Sequence, residues 1–215
     1  MIGVGLSTAL QKALAVSLGL CVSLAVSPLV GLAQANLRNS FPGRRVGGGT
    51  RGECSARTLV HLVPDRSVFA PGSTGDLALV QGPTANPVSL TMTFKPEAGG
   101  ASSSQTLPAS SAGVTLVRRA TISAPTIWES GFDCASGDAV ASADPLSFIE
   151  TASPPAVSLL LSTAEASDTQ VQKSLQTLRQ SCGATVPAAE TLAQFGLADV
   201  VTAEWPQQLP VRCPS

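Results

Sequence analysis

The sequence predicts a β-rich protein, α+β overall, in which an antiparallel β-sandwich or barrel-like domain is followed by a small helical C-terminal extension. Three observations carry this expectation. Short apolar runs punctuated by glycine and proline recur from Arg57 to Leu161. One of them alternates strictly, with Val88, Leu90, Met92 and Phe94 set against Ser89, Thr91, Thr93 and Lys95, the period of a strand with one wet face. After Ser162 the period lengthens to that of a helix.

Residues 1–35 read as a secretory signal peptide. Lys12 supplies the positive start, Ala13 to Val26 is apolar apart from serine and glycine, Pro28 breaks the run, and Ala33-Gln34-Ala35 fits the small-x-small cleavage pattern. An N-terminal membrane anchor is the competing reading of the same segment, because it is long and apolar enough to span a bilayer. The cleavage site favours removal, so no membrane span is expected in the mature chain. The mature domain plan is then a Gly/Arg-rich arm over 36–53, a β-sandwich-like domain over 54–162 and a helical extension over 163–215.

The arm contains Phe41 to Cys54, FPGRRVGGGTRGEC, with Arg44, Arg45 and Arg51 beside Gly47-Gly48-Gly49. Successive glycine N–H groups can form a nest for an anion, and the three arginines would add charge for phosphate, sulfate or carboxylate. A solvated arm is the simpler expectation, since only Phe41 and Val46 offer an apolar anchor before Cys54. No phosphate-loop lysine follows, and GGGTRG is not a dinucleotide fingerprint.

Strands are expected at Thr58–Val63, Leu77–Val80, Val88–Lys95, Val114–Ile122, Trp128–Cys134, Leu146–Glu150 and Val157–Leu161, with Gly99–Ala112 as a long surface loop. Trp128, Ser130, Phe132 and Cys134 would share one face, which makes Cys134 core-facing. In the extension, Ser167 and Gln170 form an expected capping box, Val171, Leu175, Leu178 and Cys182 form a stripe at helical spacing, and Gly183 is the expected stop. A second, shorter helix fits Pro187–Phe195, ended by Gly196.

The chain has five cysteines and one histidine. Cys21 leaves with the leader, and the remaining Cys54, Cys134, Cys182 and Cys213 have no metal-ligand spacing, so an exported chain of this kind implies two disulfides. Three connectivities are possible; Cys54–Cys134 would tie the arm to the sandwich, and Cys182–Cys213 would pin the tail to the helix. The formal net charge is −1. Residues 36–66 nevertheless carry six arginines against Glu53 and Asp65, a basic edge on an otherwise acidic body. The overall balance gives no bias towards nucleic acid or an anionic membrane.

The signal peptide, PGRRVGGGTRGEC, the apolar strand ending in Val63-Pro64 and the W-x-x-x-F-x-C segment from Trp128 to Cys134 together resemble a domain-of-unknown-function family of exported cyanobacterial proteins. The resemblance covers Pro42 to about Leu161. It implies an exported β-rich protein and transfers no catalytic residues; the chain departs from the family pattern in having no tyrosine.

No motif specifies a reaction. His61, the only imidazole, lies between Val60 and Leu62, where a packed or edge histidine is expected rather than a general base. No serine sits in a G-x-S-x-G elbow. Asp133, Asp138 and Asp144 share one loop but lack the alternate spacing of a calcium loop. No cofactor is implied. The expectation is a non-catalytic, disulfide-stabilised envelope or extracellular module that binds an envelope polymer or a protein, and the alternative is an envelope hydrolase with a loop-built site.

Overall fold

The computed structural model describes residues 36–49, 57–133 and 154–214. The expected leader, Arg51, Cys54, Cys134, Asp138, Asp144 and the strand expected at Leu146–Glu150 lie outside the described residues.

Two sheets form the body. The first contains β1 (Val46–Gly49), β2 (Arg57–His61), β4 (Asp76–Gln81), β7 (Gly113–Arg118), β11 (Gln208–Arg212) and β10 (Thr185–Pro187), in that order across the sheet. The second contains β3 (Val68–Phe69), β9 (Ala156–Leu160), β8 (Thr126–Phe132), β5 (Leu90–Pro96) and β6 (Ser103–Leu107). Neither sheet closes on itself among the described residues, so the sandwich is the form adopted and the barrel is not. The sheets are mixed rather than purely antiparallel: β11 runs parallel to β7, and β3 runs parallel to β9.

Register decides which side chains face which layer. His61, Leu59 and Arg57 alternate with Val60 and Thr58 along β2, and His61 stacks on Trp128 of β8, so the odd positions of β2 look into the space between the sheets. Leu79 and Gln81 share that face because they lie opposite His61 and Leu59. The second sheet contributes Leu90, Met92, Phe94, Trp128 and Leu160, all buried. At one end of this layer the Arg119 guanidinium lies 3.9 Å from the centroid of the Phe94 ring and donates to Ser103 Oγ at 2.7 Å.

The opposite face of the six-stranded sheet carries Asp76, Ala78 and Val80 of β4 and receives the helical layer. Helix α1 (Ala166–Gln180) buries Val171, Leu175 and Leu178. Arg179 in its last turn reaches Asp76 Oδ1 at 2.6 Å, and Arg118 pairs with the same oxygen at 3.3 Å. Helix α2 (Ala188–Ala193) follows directly on β10, with Pro187 as its N-cap and Gly196 at φ +66° shortly after its end.

Three expectations are corrected here. Gly99–Ala112 is not a loop throughout: Ser103–Leu107 is β6, paired antiparallel with β5. Its side chains are exposed except Leu107, because an edge strand that overhangs the core has little apolar surface to bury. The capping box of α1 begins two residues early, where the Asp168 carboxylate accepts from the Glu165 backbone N–H at 2.8 Å. The C-terminal stretch also does not stand apart from the sandwich, since β11 enters the first sheet between β7 and β10.

The Cys182–Cys213 disulfide is present, with Cα atoms 5.7 Å apart and a sequence separation of 31. It fastens the chain just beyond β11 to the turn just beyond α1. The Cys54–Cys134 pairing lies outside the described residues.

Candidate functional site

The glycine-arginine stretch is built into the fold, not held away from it. Val46–Gly49 pairs antiparallel with β2, placing Gly48 opposite Thr58. The same segment reaches the second sheet: Arg44 and Val157 exchange backbone hydrogen bonds of 2.9 and 2.7 Å, and Gly48 N–H donates to Pro154 O at 3.0 Å. The N-terminal segment thus joins the two sheets at one edge of the sandwich.

Close approach explains the glycines. A Cβ on Gly47 would lie 2.4 Å from the Ala156 backbone nitrogen. One on Gly48 would lie 1.9 Å from Arg57 O, and Gly48 has φ +112°, a conformation that side chains disfavour. The Gly48 N–H is already donated to Pro154 O, so β1 is a strand squeezed between two backbones and not an anion nest.

The arginines separate. Arg45 is 12% exposed, and its guanidinium donates to Val63 O at 2.9 Å, Phe195 O at 2.8 Å and Gly196 O at 3.1 Å while pairing with Asp65. It bridges the first strand to the carbonyls beyond α2, so it is a structural clamp. Arg44 is exposed. Arg51, the third expected anion ligand, lies outside the described residues.

Beside this strand lies a cleft of about 400 Å³, lined by Val46, Gly47, Gly48, Arg57 and Thr58 from β1 and β2, by Val200, Thr202, Glu204 and Trp205 from the C-terminal segment, and by Pro83 and Pro154. Trp205 is held by the turn after the 3₁₀ segment Ala198–Val200 and packs near Gly82, where a Cβ would come 3.2 Å from the indole. Thr202 and Glu204 are exposed on the rim, whereas Trp205 and Arg57 are 8% and 5% exposed. Arg57 donates to Asn86 O and is committed within the fold. The cleft therefore combines apolar lining from Val46, Val200, Trp205 and two prolines with threonine hydroxyls and the exposed Glu204 carboxylate. No local sequence pattern marks Glu204 or Trp205 as part of a site. The two walls are separated by some 150 positions in the chain, and no local pattern connects them.

His61 lies elsewhere. Its ring is 0% exposed, stacked on Trp128 at 3.5 Å between centroids and 9° between planes, with Nδ1 2.8 Å from Ser158 Oγ. Burial pushes its pKa down to about 3. This is the packed histidine expected from the sequence, and it has no path to a substrate. Asp133 is exposed and accepts from Thr91 Oγ1 at 3.0 Å. Among the described residues, no three His, Cys, Asp or Glu side chains gather as a metal site, and no helix is long and apolar enough to cross a membrane.

Comparison with family models, curated proteins and solved structures finds no match to this chain.

Proposed function

We propose that the protein is an exported, disulfide-stabilised binding module without catalytic activity, whose ligand lies in the cleft between β1 and the Trp205 turn. The observation that carries this reading is the division of labour between the two candidate sites. The one imidazole is sealed in the core as a neutral ring, while the accessible concavity offers an indole, prolines and valines with threonine hydroxyls and Glu204 at the rim. Such a lining suits recognition of an extended, partly apolar chain of an envelope polymer or protein.

Export is supported by the Cys182–Cys213 disulfide, since structural disulfides belong to oxidising compartments. Cleavage after Ala35 is also compatible with the fold. Arg38 is only 8% exposed, donates to Asp168 Oδ2 at 2.8 Å and to Thr163 O at 2.9 Å, and pairs with Glu165. That anchor lies inside the expected mature sequence.

The test is residue-resolved NMR of the mature protein during titration with solubilised envelope polysaccharide, peptidoglycan fragments and extended peptides, with product analysis in the same samples. Saturable shifts at Thr58, Thr202, Glu204 and the Trp205 indole, without chemical change of the ligand, are expected. Shifts confined to another face, or turnover of a ligand, would overturn the reading. Intact-mass measurement of the exported protein should give an N-terminus at Asn36.

A further inference from the structure

Among the described strands, one sheet edge is left open and unguarded. β1 is covered on its outer side by the backbone of 154–157, through Gly48 N–H to Pro154 O and the exchange between Arg44 and Val157. β10 has three residues and ends in Pro187, and β3 has two, both buried. β6 differs: it closes the second sheet, pairs with β5 in unbroken register, and exposes Ser103, Ser104, Gln105 and Thr106. Charges, prolines and bulges are the usual devices that keep such an edge from pairing with another strand. The stretch from Ala101 to Leu107 carries no charge and no proline, and its first proline neighbour is Pro108.

The neighbouring strands determine which backbone groups of this edge are free. Asp133 N–H donates to Ser89 O and Glu97 N–H to Pro125 O, both at 2.9 Å, so the odd-numbered backbone groups along β5 are turned to β8. The even-numbered ones, at Leu90, Met92 and Phe94, are turned to their β6 partners Leu107, Gln105 and Ser103. Alternation then leaves the N–H and C=O of Ser104 and Thr106 pointing away from the sheet. The hydroxyls on the outer face have a direction as well. Thr91 Oγ1 donates its one proton to Asp133 Oδ2 at 3.0 Å, so in the 3.3 Å contact between Thr91 and Thr106 the Thr106 hydroxyl is the donor. Thr106 Oγ1 is left as an acceptor at the edge, while Ser104 Oγ lies 3.2 Å from Thr93 Oγ1, placed to accept from it and to donate outward.

We propose that β6 pairs antiparallel with β6 of a second copy of this chain about a two-fold axis at Gln105, giving a weak dimer with one continuous sheet across it. In that register Ser104 of each copy faces Thr106 of the other and the two exchange both backbone hydrogen bonds, so the outward groups of both residues are all used. The Ser104 hydroxyl of one copy donates to Thr106 of the other, which extends the row Thr93, Ser104, Thr106, Thr91, Asp133 across the axis in a single direction. Sliding the register towards Leu107 sets Ser104 against Pro108, which has no N–H. Self-pairing puts no charge opposite a like charge, and this neutrality favours a second copy as the occupant. An extended peptide would be selected through pockets for its alternate side chains, where β6 offers only exposed Ser, Gln and Thr. A strand of five residues buries less than the roughly 1,000 Å² of a stable interface, so the dimer is transient.

The experiment is sedimentation velocity of the mature, oxidised protein from about 10 µM to about 2 mM, with amide hydrogen exchange at both ends of that range. Reversible dimerisation is expected, half complete on the order of 1 mM, with the Ser104 and Thr106 amides unprotected in dilute solution and protected when concentrated. Thr106→Pro removes an outward N–H, and Gln105→Lys sets two ammonium groups against each other on the axis; each should abolish the dimer. Should Thr106→Pro fail to fold, Gln105→Lys, at an exposed side chain, decides. The register has its own test: Gln105→Cys should cross-link in the presence of oxidised glutathione to a dimer joined through position 105 of both copies, and Ser103→Cys should not. A monomer throughout the range, a dimer retained by a folded variant of either kind, or equal cross-linking at the two positions would each overturn the proposal. So would protection of Ser104 and Thr106 already in dilute solution, because the chain's own residues would then cover the edge.

Discussion

Acid should weaken this protein through one residue. In the folded chain His61 has its pKa pushed down to about 3 by burial alone, against an ordinary value of 6.5. A group whose folded pKa lies below its unfolded value favours the unfolded chain wherever that chain binds the extra proton. His61 therefore costs no stability above about pH 6.5, costs progressively more as the pH falls, and reaches its full cost once the pH is below about 3. With 1.36 kcal/mol per pKa unit, the whole interval corresponds to about 5 kcal/mol, and the step from neutral pH to pH 5 to about 2 kcal/mol. Stacking on Trp128 opposes this trend, because a cation over an indole face is stabilised by about 1–2 kcal/mol when desolvated. The burial penalty is the larger. The assay is urea unfolding at pH 7.5 and pH 5 for the wild type and for His61→Phe, which keeps an aromatic ring against Trp128. Carboxylates titrate alike in both proteins, so the difference between their two pH responses isolates His61. A wild type that loses about 2 kcal/mol more than the variant on acidification is expected; equal losses would refute the argument.

Other perturbations test the connections that hold the cleft. Arg45→Met removes the donor to Val63, Phe195 and Gly196 while keeping much of the side-chain volume, and should cost about 2–4 kcal/mol in urea unfolding. Gly48→Ala adds a Cβ against Arg57 O at φ +112° and should cost at least about 2 kcal/mol, with faster amide exchange along Val46–Gly49. Reduction of Cys182–Cys213, or the Cys182→Ser/Cys213→Ser pair, should cost roughly 3–4 kcal/mol by the loop-closure argument for a separation of 31 residues. Amide exchange should rise first near β11.

Local periodicity carried most of the architecture, and long-range contacts account for what it missed. The alternation around Met92 and Phe94 marks β5 because a half-buried strand must alternate, and the Val171–Leu175–Leu178 stripe marks α1 because one helix face is buried. Strand β6 carries no such mark, since Ser103, Ser104, Gln105 and Thr106 are all exposed. Strand β11 was hidden by Pro210, and only its place between β7 and β10 makes it a strand. At the N-terminus of α1 the chain offered Ser167 as a plausible cap. The actual choice follows from Arg38, which enters from 130 residues upstream to neutralise the buried Asp168 and thereby favours the cap that uses that carboxylate. The same holds for Arg45, whose acceptors lie beyond α2, and for Trp205, whose opposite wall is β1.

The glycines of β1 show why an organising stretch and a binding stretch are easily confused from sequence. Both need backbone to approach something closely, and both select residues without side chains. Here the approaching partners are Arg57 O and the Pro154–Ala156 backbone, so the stretch closes the sandwich; the cleft is what remains beside that closure. It follows that substitutions in β1 cannot separate binding from stability, because each one disturbs the junction of the two sheets. The opposite wall is different. Thr202 and Glu204 are exposed, and neither is hydrogen-bonded through its side chain within the described residues. Changes at exposed positions of this kind usually alter stability by no more than about 0.5 kcal/mol. The recognition proposed for the cleft can therefore be varied from the Trp205 side while the fold is held by the glycine side, which is the arrangement the proposed binding module needs if its specificity is to change without loss of structure.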